Sequence, residues 1–232
     1  MLFNSLVFAV FLPTVFAIYW ILDKKASLRI QNFFILVVSY IFYGWWDWRF
    51  LVLIMFSSVI DFISALKIER SEVRETRKKW MSLSLVTNLG MLGFFKYFNF
   101  FIDSAADMLN MMGLHPNVWS LRIILPVGIS FYTFQALSYT IDVYRRELKA
   151  TPNIVDFLAF VSFFPQLVAG PIERAAALLP QFYVRRKFEL DKARDGMRQM
   201  LWGFAKKLVV ADNWRHMFNR FIMILVNMMV LL

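Results

Sequence analysis

Long apolar runs separated by short charged stretches organise the whole chain. The runs are Leu2 to Leu22, Ile30 to Trp46, Phe50 to Leu66, Met81 to Ile102, Leu121 to Ile141, Ile154 to Ala169 and Met217 to Leu232. About 20 apolar residues in a helix cross a hydrocarbon core of about 30 Å, because each residue adds about 1.5 Å. No run alternates apolar and polar residues as a barrel strand would, and lipid tolerates only backbone that pairs within its own segment or a closed barrel. The pattern predicts an all-α, polytopic integral membrane protein.

The charges between the runs set its orientation. The first run has no basic residue before it and Asp23, Lys24 and Lys25 directly after it. A cleavable secretory signal has the reverse arrangement, so this run is expected to remain in the mature protein. Loops rich in Lys and Arg stay in the cytoplasm, which places the N-terminus outside. Alternation from there gives inner loops at 23–29, 67–80 and 142–153 and outer loops at 47–49 and 103–120. The inner loops hold twelve Lys and Arg, whereas the outer ones hold only Arg49.

The sixth run departs from this alternation. A full crossing would put the nine Lys and Arg between Gly170 and Asn213 outside. Its 16 residues reach only about 24 Å as a helix, and Pro165, Gly170 and Pro171 interrupt it or follow it. A re-entrant segment that turns back to the cytoplasm satisfies both observations. Irregular backbone at membrane depth needs protein or water around it, which implies a cavity on the inner side. Beyond it, Leu190, Ala193, Met197, Met200, Leu201, Phe204 and Leu208 recur at steps of three and four, with Lys192, Arg194, Arg198 and Lys206 largely elsewhere. That spacing predicts an amphipathic helix, either lying on the cytoplasmic leaflet or docked on the protein's own inner surface. Residues 1–213 read as one membrane domain without internal repeats, and 214–232 as an atypical hydrophobic tail.

Composition narrows the chemistry. Of 232 residues, 59% are hydrophobic and 18% charged, against roughly 25% charged in soluble domains. Absence of cysteine excludes a disulfide framework, a zinc ribbon and a Cys nucleophile. The net charge of +10 sits in the gaps between apolar runs, where topology and anionic lipid explain it better than nucleic acid does. Neither histidine is placed for catalysis or metal binding. His115 lies between Gly113 and Pro116 in an outer loop, and His216 lies beside Trp214 and Arg215; both read as solvated or interfacial. Two His so far apart give no metal-ligand spacing, and no phosphate-cradling glycine motif is present.

Polar residues within the apolar runs are the remaining candidates, since an ionisable group at membrane depth costs about 2.5–3.5 kcal/mol and normally faces a partner or water. Asp61 and Lys96 qualify. Asp61 lies roughly 16 Å and Lys96 about 9 Å below the outer ends of their spans, so separate partners are favoured over a direct pair. Tyr43, Trp45, Trp46 and Trp48 suit an interfacial anchoring belt, with the lining of a lumen or partner surface as the alternative. In the fifth run Ser130, Thr133, Gln135, Ser138, Tyr139 and Asp142 accompany Pro126 and Gly128, which fits helix-to-helix hydrogen bonding or a polar tunnel wall.

Four stretches together resemble a known family. LPVGISFYTFQALSYTIDVYR at Leu125 to Arg145, FYGWWDWRFL at Phe42 to Leu51, FFPQLVAGPI at Phe163 to Ile172 and LWGFAKKLVVADN at Leu201 to Asn213 are similar to motifs of the membrane-bound O-acyltransferases. The similarity is strongest to the bacterial alginate O-acetylation branch. It implies a multi-helix enzyme of the bacterial cytoplasmic membrane with a tunnel through a thin central region. Such an enzyme moves an acyl group from a cytoplasmic thioester, such as acetyl-CoA, to a hydroxyl of an exported polysaccharide, with periplasmic partner proteins and no bound cofactor. Gln135, Tyr139, Asp142, Pro165, Gln166, Gly170 and Pro171 are the candidates for shaping its reaction chamber. The resemblance further implies a catalytic histidine in a later helix, beyond the position matching Asn213. Neither His115 nor His216 occupies a matching motif, so no catalytic residue is assigned, and the chain by itself is expected to be inactive, as an N-terminal part ending before that histidine. A non-enzymatic export or scaffold component is the alternative.

Overall fold

A computed structural model describes residues 3, 5–113, 124–167, 170–171, 173–211, 213–214 and 217–218, without the side chains of 24 and 25. His115, His216, Leu121 to Ile123 and nearly all of the seventh run therefore lie outside the described residues. Among the described residues there is no strand. The helices are α1 (Leu6–Lys25), α2 (Leu28–Gly44), α3 (Arg49–Arg70), α4 (Arg74–Met111), α5 (Ile129–Tyr144), α6 (Ile154–Val161), α7 (Phe164–Leu167), α8 (Ala175–Leu178) and α9 (Leu190–Ala205). Of these, α1, α3 and α4 are long and apolar enough to cross a membrane, and the chain is a membrane protein of the all-α class.

The chain divides into two units. The first, Val10–Arg186 with Met1, contains the core. There α3 packs on α4 and α5, and α2 packs on α6. Small residues on α3 (Ser57, Ser58, Ser64 and Ala65, all buried) let the neighbouring backbones approach closely, as membrane helices require when lipid supplies no hydrophobic driving force. Tyr132, Tyr139, Phe157 and Phe160 fill the space between α5 and α6, with Tyr139 and Phe157 rings 4.6 Å apart. The second unit comprises Leu2–Ala9 and Lys187–Leu232. It holds α9, which buries no side chain, and a π-helical stretch, Lys206–Ala211.

Three spans differ from the expected boundaries. The fourth is far longer: α4 runs 38 residues, about 57 Å, because the polar flanks Arg74 to Trp80 and Asp103 to Met111 contain neither Gly nor Pro and continue the helix beyond the apolar part. The fifth starts later, at Ile129, because Pro126 lacks an N–H and Gly128 adopts a left-handed φ of 77°. The sixth is broken at Ser162 and Phe163 into α6 and α7. Pro165 falls in the first turn of α7, where its missing N–H costs least.

Candidate functional site

The sixth run lies along α2, and the chain beyond it comes back to the same helix. Asn153 caps α6, its side chain accepting from the Val155 N–H at 3.0 Å. Near that start, Asn32 Nδ2 donates to Asp156 Oδ1 at 2.8 Å. Seven residues further along α2, Ser39 Oγ accepts from the Phe164 N–H at 3.2 Å, and the Phe42 and Phe164 rings lie 5.4 Å apart. The chain then comes back, for Asn32 Nδ2 also donates to the Phe182 carbonyl at 2.7 Å. The segment thus enters at the level of Asn32, advances about 10 Å along α2 and leaves at Asn32 again.

Helix α5 forms the opposite wall. Gln135 Nε2 donates to the Phe160 carbonyl at 2.9 Å, and the Tyr139 hydroxyl accepts from the Thr151 N–H at 3.0 Å. At the N-terminal end of α5, a Cβ on Gly128 would stand 2.7 Å from the Leu167 carbonyl oxygen, so the glycine lets α7 seat directly on backbone. Gly170 is equally confined: its Cβ would meet Gln166 Cα at 2.6 Å. Tyr43 donates its hydroxyl proton to the Val127 carbonyl at 2.8 Å and is buried, so it does not belong to the exposed belt of Trp45, Trp46 and Trp48.

The seven chamber candidates separate into groups. Gln135 and Tyr139 are buried against the entering arm of the segment, and Gln166 is buried beside Gly170 at its tip. Gln166 Nε2, the Tyr132 hydroxyl and Thr133 Oγ1 are buried and make no hydrogen bond among the described residues. A donor or acceptor left in that state costs about 1–3 kcal/mol unless a ligand or water completes it. Pro165 and Pro171 are exposed. Asp142 is half-buried at the far end of α5; burial raises its carboxyl above the ordinary range, Glu147 adds to the rise, and Arg174 and Arg145 oppose it. An open depression of about 390 Å³ lies at the mouth of the segment, lined by Arg29, Pro152, Asn153, Ile154 and Val155. None of the seven candidates lines it.

Asp61 and Lys96 have separate partners. Ser84 Oγ donates to Asp61 Oδ1, and Asn88 Nδ2 reaches both carboxylate oxygens at 2.8 and 2.9 Å. Ser84 and Asn88 are four residues apart, on one face of α4. Lys96 is exposed and lies 5.4 Å from the Tyr97 ring centroid.

Sequence reasoning missed the polar cluster around Asn32. Asn32 is 1% exposed, and its side-chain oxygen accepts from Arg186 Nη1 at 3.2 Å, while Arg186 also donates to the Tyr19 hydroxyl at 2.8 Å. Arg186 stacks over Phe182 at 5.1 Å. One asparagine thereby ties the entering arm, the returning arm and, through Arg186, α1. Its only sequence signal is an amide inside an apolar run.

No family model matches the chain, and no solved structure matches it. Curated relatives do. It is 41% identical over 214 residues to the probable alginate O-acetylase AlgI of Pseudomonas aeruginosa, covering 91% of this chain and 40% of that protein. The probable alginate O-acetylase AlgI of Azotobacter vinelandii is 41% identical over 215 residues, covering 92% and 42%. The peptidoglycan O-acetyltransferase of Helicobacter pylori is 31% identical over 244 aligned residues, covering 93% and 45%. The chain spans about two fifths of the length of the curated relatives it matches. By its four motifs, its apolar helices and these relatives, the chain fits the membrane-bound O-acyltransferase family, on the branch of the alginate acetylation proteins.

Proposed function

We propose that this chain forms part of a membrane O-acetyltransferase that moves acetyl from a cytoplasmic thioester, such as acetyl-CoA, to a hydroxyl of an exported polysaccharide such as alginate. The observation that carries this reading is similarity over nine tenths of the chain to proteins named for O-acetylation of two different polysaccharides. In that reaction the acceptor oxygen attacks the acetyl carbonyl carbon, the carbon–sulfur bond breaks, and the hydroxyl proton ends on the thiol. Gln135 and Tyr139 hold the re-entrant segment against α5, and Gln166 presents an uncommitted amide donor at its tip. Arg29 at the rim of the mouth suits a donor that carries phosphate. The protein sits in the bacterial cytoplasmic membrane with its N-terminus outside, where periplasmic acetylation partners meet the polymer.

Membranes holding the full protein that the gene encodes are expected to transfer radiolabel from acetyl-CoA into base-labile esters on polysaccharide. No label above heat-treated membranes would overturn the reading. Asp142→Asn should lower transfer per molecule several-fold at an unchanged protein level. An export component or scaffold would leave transfer per molecule unaltered.

Orientation is tested on its own. A cysteine at Ser104, exposed near the outer part of α4, should react with an impermeant thiol reagent from outside, and one at Ser71 only after the membrane is opened. The reverse pattern would invert the topology.

A further inference from the structure

We infer that α9 and the π-helical stretch after it bind the surface of an anionic bilayer, with the apolar stripe of α9 set among lipid acyl chains. At about 100° per residue, Leu190, Met197, Leu201 and Phe204 fall within a narrow arc of the helix. Met200 lies at one margin of that arc. Arg194 and Arg198 lie at the other, about 40° and 80° round from Leu190. Basic side chains at the edge of an apolar stripe extend their stems along lipid and place the charge among phosphates. Asp191, Lys192, Asp195 and Gln199 occupy the remaining side, with Trp202 among them about 120° round from Leu190.

Among the described residues of its own unit this stripe has no protein cover, since α9 buries no side chain and Leu190, Met197 and Leu201 are each more than half exposed. Trp202 is 64% exposed, with Lys206 Nζ 5.2 Å from its ring centroid. An indole beside an ammonium at one end of an amphipathic helix is the chemistry of the headgroup layer. The sequence around it is basic at both ends, with Lys187 before α9 and Lys206 and Lys207 after it. Such charge is attracted to anionic headgroups and is indifferent to zwitterionic ones. A continuous apolar crossing is ruled out by the five charged residues between Asp191 and Arg198. The inference is independent of acetyl transfer and would stand if that reading failed.

The chain contains no cysteine, so a single cysteine introduced into it and carrying a nitroxide reports from one site in vesicles. With the label at Met197→Cys in phosphatidylglycerol-rich vesicles, collisions with oxygen should exceed those with a water-soluble nickel chelate several-fold. A label at Gln199→Cys should show the opposite ratio. Combining Met197→Cys with Arg194→Gln and Arg198→Gln should bring the label nearer the aqueous phase in the anionic vesicles. In pure phosphatidylcholine the same two changes should leave its depth nearly unaltered. Three results would overturn the inference. One is a Met197 label as accessible to nickel as that at Gln199. Another is a Met197 label immobilised and shielded from both reagents, which would mean docking on protein. The third is a lipid-exposed label whose depth ignores lipid charge.

Discussion

Substituting Gly128 by alanine is expected to destabilise the protein by about 2–5 kcal/mol and to displace α7. Two separate costs combine. Gly128 has φ of 77°, a left-handed conformation that costs an L-residue roughly 1–2 kcal/mol. The new methyl would also stand 2.7 Å from the Leu167 carbonyl oxygen. That atom is backbone and cannot swing aside like the end of a side chain, so the contact adds the 1–3 kcal/mol typical of overpacking. Gly90 and Gly93, on α4, provide the control, for a Cβ at either meets nothing within 4 Å. Alanine there should be neutral or stabilising by up to about 1 kcal/mol, from helix propensity alone. Thermal unfolding of detergent-purified variants separates the cases. If Gly128→Ala unfolded at the same temperature as Gly93→Ala, the close seating of α5 on α7 would be wrong.

What the sequence reveals and what it hides follow from the range of the interactions involved. The irregularity of the sixth run, broken into α6 and α7, is legible because its signals are local: a run of only 16 residues, with a proline inside it and a glycine and a second proline at its end. The length of α4 is not legible from apolarity, because a helix leaves the hydrocarbon without ending when its next residues are Arg, Glu, Lys, Asp and Ala. Asp61 announces itself as a carboxylate inside an apolar run, and Ser84 and Asn88 repeat on one helical face. Only the fold shows that these belong together. Gln135 and Tyr139 were identifiable as polar groups on α5, yet their partners, the Phe160 carbonyl and the Thr151 N–H, are backbone atoms that no residue pattern marks. The Asn32 cluster was hidden most completely. It joins residues 124 and 150 positions apart, and nothing near Asn32 in sequence foretells either.

That cluster carries the second large effect. Asn32→Leu keeps the branched shape of the side chain, with two somewhat larger methyl groups in place of the amide nitrogen and oxygen, and removes both donors and the acceptor. The Asp156 carboxylate, 7% exposed, would lose the Asn32 amide that now donates to it, and the Phe182 carbonyl would lose a donor at 2.7 Å. A hydrogen bond to a charged group contributes about 1.5–3 kcal/mol, and an orphaned buried carbonyl costs about 1–3 kcal/mol. The expected loss is therefore about 3–5 kcal/mol, read as a lower unfolding temperature in detergent. Arg186→Gln should cost much less, about 1 kcal/mol, since Arg186 is only half-buried and water replaces part of what it gives up. The two variants also differ in where the damage falls. Losing Asn32 frees the returning arm at Phe182, so trypsin should cut after Arg185 and Arg186 in Asn32→Leu well before the remainder of the chain unfolds. In the wild type, cleavage there should wait for global unfolding, because Asn32 holds both ends of the segment with one amide. Equal cutting rates in wild type and Asn32→Leu, with equal unfolding temperatures, would mean that the two arms stay together without Asn32, held by the aromatic contacts between Phe42, Phe163, Phe164 and Phe182.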